Sequence, residues 1–369
     1  MTKAGLIIIV VLLLSLFSSV TTSKPAVLTS ECNCSHLEVL QVELRNAQRL
    51  QEAFRNKIPE LRGMSAGASM AELKRFAQTD ARRDLESLPN YKGPGEVDYV
   101  AQGDLLYDPT HPRPNDTNEG LCRMSADAEL SLQTAMQQAA CDGIGKAIKA
   151  HEEVHHSSCL RRGYVNFFNM TGADRAQDEV DAYGAQISAL RAEIAQVLER
   201  SQFTIITDVK TKTTVPQNPL YTSVINENHS EIPTTRAGGT ADKFRFDGQG
   251  QQSCNASIEG NCKFTGGIPF NLPARVSIET DGLTAEVTYE VSGQAPSLGM
   301  QCTIPGAGSG YGMSIPVQLN SGRVPIAKMP LKDGAEVVFD MSQSEAARIM
   351  AGGRVTLTGK ATVKLKCNR

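Results

Sequence analysis

The chain of 369 residues has no tryptophan, and aromatic residues make up only 5 % of it. That scarcity excludes a broad aromatic platform for stacking sugars and leaves a modest core built on aliphatic side chains. An excess of one charge is also missing. Lys and Arg total 37 against 40 Asp and Glu, and the basic residues form no patch along the chain. Nucleic acid is therefore not an expected partner, because phosphate recognition needs concentrated positive charge. Cysteine occurs nine times, yet no pair has the C-x-x-C spacing of a thiolate zinc site. Histidine is rare, with six in all.

Three of those six, His151, His155 and His156, lie in one short stretch, where His151-Glu152-Glu153-Val154-His155 reads H-E-x-x-H. Residues four apart on a helix share a face, so both imidazoles can reach one metal ion. Ile144, Ile148, His151 and His155 follow helical spacing, which puts the two histidines on the apolar stripe. Glu152 would then stand beside the water that the ion activates, where a general base is needed. His156 points elsewhere and is a bystander. The competing reading is a solvated helix whose His and Glu face water.

Two histidines leave a zinc site one protein ligand short. Thr171 and Asp174 form a capping-box-like helix start. From there Ala176, Val180, Tyr183, Ile187, Leu190, Ile194 and Val197 mark a helical stripe running to about Arg200. Glu179 flanks that stripe and is the preferred third ligand, with Asp178 and Asp181 as alternatives. The metal set is therefore His151, His155 and Glu179, the catalytic residue Glu152 and the cofactor Zn2+.

Over roughly residues 120–200 these motifs resemble the zincin metallopeptidases, and among them the gluzincins, which use two His and a Glu. A looser likeness, through Cys141-Asp142-Gly143-Ile144-Gly145, Cys159 and Ala182-Tyr183, is to small metallopeptidase modules of secreted bacterial proteins and toxins. The resemblance implies zinc on His151, His155 and Glu179, with Glu152 as base. The thermolysin-type pattern also has an Asp four residues after the ligand Glu, to orient a ligand His. Here that position is Tyr183. Either Tyr183 or a backbone carbonyl takes the task, or the third ligand lies elsewhere.

Lys3, an apolar run from Leu6 to Val20 and then Thr21-Thr22-Ser23 read as a signal peptide over residues 1–23, with an uncleaved membrane anchor as the alternative. Thr29-Ser30-Glu31 ahead of Cys32 is not a lipobox. A secreted or periplasmic chain should pair most of its cysteines. Cys254 with Cys262 could staple a hairpin, and Cys302 with Cys367 could tie down the last strand. Cys141 and Cys159 on one unbroken helix would lie roughly 27 Å apart, too far to bond, although Gly143 and Gly145 are expected to interrupt that helix. An odd count leaves one thiol unpaired. Sequons occur at Asn33, Asn115, Asn169, Asn228 and Asn255.

A helix is expected over 35–62, from Leu37, Leu40, Leu44, Ala47, Phe54, Ile58 and Leu61, and a second from Ser69 capped by Glu72. Together they form a helical hairpin, possible pro-region 24–90. The Pro-rich segment 89–120 reads as a long loop with a short strand at 97–100. Residues 125–141 read as a helix, 144–158 as the metal helix, and 161–170 as a loop in which Tyr164, Arg161 or Arg162 could meet an oxyanion. Beyond Phe203, β-branched runs at 204–215, 276–280, 285–291, 337–341 and 355–366 indicate strands, while 216–270 reads as polar loop.

The expected fold is therefore α+β and multidomain: a mostly helical zincin-like metallopeptidase module at 91–202, then an all-β immunoglobulin-like sandwich at 203–369. The expected function is a secreted zinc peptidase acting on a peptide or protein substrate. The rivals are a non-enzymatic envelope protein whose β-domain binds a protein partner beside a structural or vestigial metal site, and a secreted effector or toxin carrying the peptidase. Contact with a membrane is expected only if the N-terminal segment is an uncleaved anchor.

Overall fold

The computed structural model describes residues 31–77, 139–215, 221–240, 243–266, 268–293, 298–303, 311–315, 323–343 and 355–368, together with Thr79, Cys122, Gln133 and Met136. The expected signal segment, the Pro-rich segment 89–120 with its expected strand at 97–100, most of the expected helix at 125–141 and the sequon at Asn115 lie outside the described residues.

Among the described residues five helices come first: α1 (Leu37–Arg62), α2 (Ala66–Phe76), α3 (Asp142–Arg162), α4 (Tyr164–Phe168) and α5 (Gly172–Arg200). A 3-10 turn at Cys34–His36 leads into α1. The long helices are amphipathic and pack along one another. Leu40, Leu44, Ala47, Leu50 and Phe54 of α1 meet Tyr183, Ile187, Leu190 and Ile194 of α5 in one buried seam. Truncating a seam leucine such as Leu50 or Leu190 to Ala would cost about 2–5 kcal/mol. Thr171 caps α5 as its sequence indicates, accepting a hydrogen bond from the Asp174 amide. The start of α2 is a correction. Its N-cap position is Ser65, and Ser69 lies inside the helix with its hydroxyl turned back to Ala66. Glu72 pairs with Lys57 and Arg75 instead of capping.

Gly143 and Gly145 do not interrupt α3. Both are buried within it, and Gly143 has no room for a side chain. A Cβ on Gly143 would sit 2.1 Å from Glu193 Cγ and 2.9 Å from Cys32 Sγ. Past Arg162 the chain turns at Gly163, whose φ of 79° suits glycine, and forms α4 where a loop was expected.

In the second half the described residues are mostly strand, with one 3-10 turn at Met341–Gln343. The larger sheet is antiparallel, with eight strands in the order β10-β11-β1-β2-β3-β5-β6-β9. These are β1 (Gln202–Thr214), β2 (Tyr221–Thr240), β3 (Lys243–Gly260), β5 (Phe270–Thr280), β6 (Thr284–Val291), β9 (Arg323–Pro330), β10 (Ala335–Asp340) and β11 (Thr356–Asn368). Strands β4 (Cys262–Gly266), β7 (Leu298–Cys302) and β8 (Tyr311–Ile315) form a second, small sheet. The outermost strands of the large sheet, β9 and β10, are consecutive in the chain, joined by a turn that ends at Gly334, and they touch. The sheet therefore curls almost into a barrel. Where two packed immunoglobulin-like sheets were expected, one curled sheet takes in most of the strands. Long, strongly twisted strands coil and so bring distant edges together.

The segment expected as polar loop, 216–270, contains β2 and β3, the two longest strands. Their inward face mixes polar side chains with the apolar Ile232, Phe244 and Phe246. Ser223, Ser230, Thr234 and Gln252 are buried, and the Thr207 and Ser230 hydroxyls lie 2.7 Å apart.

Helices and sheet share one core. Phe203, Ile205, Ile232 and Phe246 of the sheet continue the cluster that holds Leu198 and Ile194 of α5. The buried Gln41 of α1 donates from Nε2 to the carbonyls of Gly282 and Leu331, closing two sheet turns against the helix.

Four disulfides link Cys32 to Cys141, Cys34 to Cys367, Cys122 to Cys159 and Cys262 to Cys302. Cys254 is the free, buried thiol. Both expected pairings are overturned for a topological reason. Cys262 lies opposite Cys302 in the β4–β7 ladder, and Cys254 sits in β3 opposite Phe270. Four disulfides fit an extracellular or periplasmic compartment. No helix among the described residues is long and apolar enough to cross a membrane.

Candidate metal centre

Helices α3 and α5 pack side by side and bring His151, His155 and Glu179 together. His151 and His155 are one turn apart on α3, and their Nε2 atoms are 3.2 Å apart. Glu179 Oε2 lies 3.6 Å from each. Ligands 2.0–2.1 Å from a tetrahedral zinc stand about 3.4 Å from one another. The three donor atoms thus form a triangle of the right size for one such ion. All three residues are buried.

Asp178 supplies what a ligand histidine needs on its far side. Its Oδ2 lies 2.6 Å from His155 Nδ1, and Arg175 approaches the same oxygen at 3.6 Å. This is the carboxylate–histidine arrangement that fixes ring orientation and raises ligand basicity. It comes from the residue before Glu179, so neither Tyr183 nor a backbone carbonyl takes that task for His155. In the sequence Asp178 stands out only as a substitute ligand. The missed signal was its place one helical position from Glu179, which turns it toward the other edge of the ring. Asp181, the other alternative, is exposed and bonds Gln177.

Tyr183 sits one turn after Glu179. Its ring meets the His151 ring edge to face, 4.5 Å between centroids at 71°. Glu152 is 1 % exposed and, with His151, Ile148, Tyr183, Gln186, Ala47 and Leu50, lines a cavity of about 30 Å³. That is space for roughly one water. Part of its wall is α1.

The electrostatics match a cation site. Burial works against a charge on His155, but Glu179 and Asp178 override it and push its pKa up to about 10. Burial would raise Glu179, yet the two imidazoles hold its carboxyl well below the usual range. Burial raises the Glu152 pKa, with Glu179 adding to the rise and the histidines opposing it. Burial and the nearby Glu179 and Glu152 raise the Tyr183 hydroxyl well above its ordinary value. A proton on His155 fills the role that a metal ion would take.

Tyr164, Arg161 and Arg162 are not among the cavity-lining residues. The two arginines are exposed in the last turn of α3, and Tyr164 packs on the Cys122–Cys159 cluster. No family model, no curated protein and no solved structure matches this chain.

Proposed function

We propose that the chain is a secreted zinc-dependent peptidase of zincin-like, gluzincin type, with His151, His155 and Glu179 as ligands and Glu152 as general base. The carrying observation is the donor triangle with edges of 3.2, 3.6 and 3.6 Å, with Glu152 lining the adjoining water-sized cavity. Bound zinc would act as a Lewis acid, making a water a competent nucleophile near neutral pH. Glu152 takes the proton from the attacking water and returns it to the leaving amine nitrogen. Its burial favours this, since a carboxylate of raised pKa is a better proton acceptor. Asp178 holds His155 in register. The β-rich half is the surface proposed to hold a protein partner or a protein substrate.

A second reading has a specific observation in its favour. The cavity takes one water and no peptide, and Ala47 and Leu50 of α1 form part of its wall. A peptidase must therefore draw α1 aside to admit substrate. A structural metal site needs no such motion.

The deciding experiment measures zinc content and cleavage of a mixed peptide library by mass spectrometry, for wild type, Glu152→Gln and His151→Ala. The peptidase reading expects wild type to cleave, Glu152→Gln to keep zinc without cleaving, and His151→Ala to lose zinc. A wild-type protein that binds one zinc and cleaves nothing favours the structural site.

A further inference from the structure

We infer that the ring of Tyr183 is the positioning element for His151, in place of the hydrogen-bond partner that this residue lacks among the described residues; the inference rests on the metal-centre reading. The two histidines are held differently. His155 is fixed at Nδ1 by Asp178, 2.6 Å away. His151 Nδ1 is buried and has no hydrogen-bond partner among the described residues. Ligand histidines almost always donate their second ring N–H, because that bond sets the ring's rotation. For His151 the rotation must be set by packing.

The packing contact is specific. Tyr183 meets His151 edge to face at 4.5 Å, and Tyr183 is in turn stacked on Phe54 of α1 at 6.0 Å and 18°. Phe54 meets Phe76 of α2 edge-on at 5.6 Å. All three aromatic residues are buried. A rigid, close-packed ring leaves a neighbouring imidazole few orientations. Because Tyr183 is one turn beyond Glu179 on α5, the same helix supplies one ligand and the wall that aims another. The contact between Tyr183 and His151 runs ring to ring, so it is the ring that does the positioning.

The test uses the full chain and reads metal rather than turnover. Zinc affinity is measured against a chromophoric chelator for wild type, Tyr183→Phe, Tyr183→Met and Phe54→Leu, and the absorption bands of the cobalt form report ligand geometry. Tyr183→Phe, which keeps the ring, should match wild type in affinity and spectrum. Tyr183→Met should lose about 10- to 100-fold in affinity with a changed cobalt spectrum. Phe54→Leu should shift both in the same direction by less. If Tyr183→Met does not fold, Phe54→Leu decides. A folded Tyr183→Met or Phe54→Leu protein with wild-type affinity and spectrum overturns the inference. So does a Tyr183→Phe protein as impaired as Tyr183→Met, which would assign the role to the hydroxyl. A wild type that takes up no zinc removes the metal-centre reading itself and this inference with it.

Discussion

Asp178 Oδ2 and His155 Nδ1 are 2.6 Å apart, although Asp178 is the chain neighbour of Glu179, which faces the opposite nitrogen of the same ring. Adjacent residues on a helix diverge by about 100°. The pair Asp178-Glu179 can therefore straddle one imidazole, each carboxylate meeting a different nitrogen. Replacing Asp178 with Asn keeps the shape and removes the charge. Zinc affinity should fall about 10- to 100-fold, as measured by chelator competition. An unchanged affinity would show that Asp178 does not support the ligand.

Metal uptake should depend on pH in a defined direction. In the metal-free protein His155 titrates at about 10, so it is protonated throughout the neutral range. An ion must displace that proton. Zinc affinity should therefore rise with pH up to about 10, with proton release visible in weakly buffered indicator solution. The metal-free fold runs the opposite way. A histidine raised from 6.5 when unfolded to about 10 when folded contributes stability that is complete below about 6.5 and is lost as pH rises through 10. Chelator-treated protein should thus melt at progressively lower temperature between those limits. A flat melting temperature across that window would contradict the assignment.

Gly172, the first residue of α5, should not tolerate a side chain. Its amide donates to Ser69 Oγ, and a Cβ there would lie 2.2 Å from the Ser69 carbonyl oxygen and 2.9 Å from the Met70 nitrogen. Helix propensity favours Ala over Gly by up to about 1 kcal/mol. A backbone clash at this distance outweighs that, and Gly172→Ala should lose about 1–3 kcal/mol in denaturant unfolding. A gain in stability would mean that α2 and α5 can separate freely.

The bridge from Cys34 to Cys367 spans 333 residues and ties the turn before α1 to β11. Changing both cysteines to Ser should lower stability by about 2–5 kcal/mol, measured by urea unfolding under oxidising conditions. Equal stability with and without the bridge would show that the shared core alone holds α1 against the sheet.

The sequence made the candidate ligands legible and left the groups around them obscure. H-E-x-x-H on an apolar stripe and a long capped helix carrying Glu179 are local patterns, and local patterns survive folding. The role of Asp178 depends on which face of α5 meets α3, and that is a packing result. Likewise β2 and β3 hid because Ser223, Ser230, Thr234 and Gln252 take inward positions between Ile232, Phe244 and Phe246, which leaves only short apolar alternation to read. Buried hydroxyls that satisfy one another, as Thr207 and Ser230 do, read in sequence as loop. The disulfides failed for the same reason. Cys262 chose Cys302 across a ladder instead of Cys254 nearby.

Cys32 and Cys34 anchor the stretch before α1 to Cys141 and Cys367 respectively. A protease that nicks the chain between α2 and α3 would therefore release nothing. The two pieces would migrate as one band on a non-reducing gel and separate only after thiol treatment. A single cut after α2 can discard α1 only if the two sulfur–sulfur bonds at Cys32 and Cys34 are also broken, which places that route in the hands of a reductant.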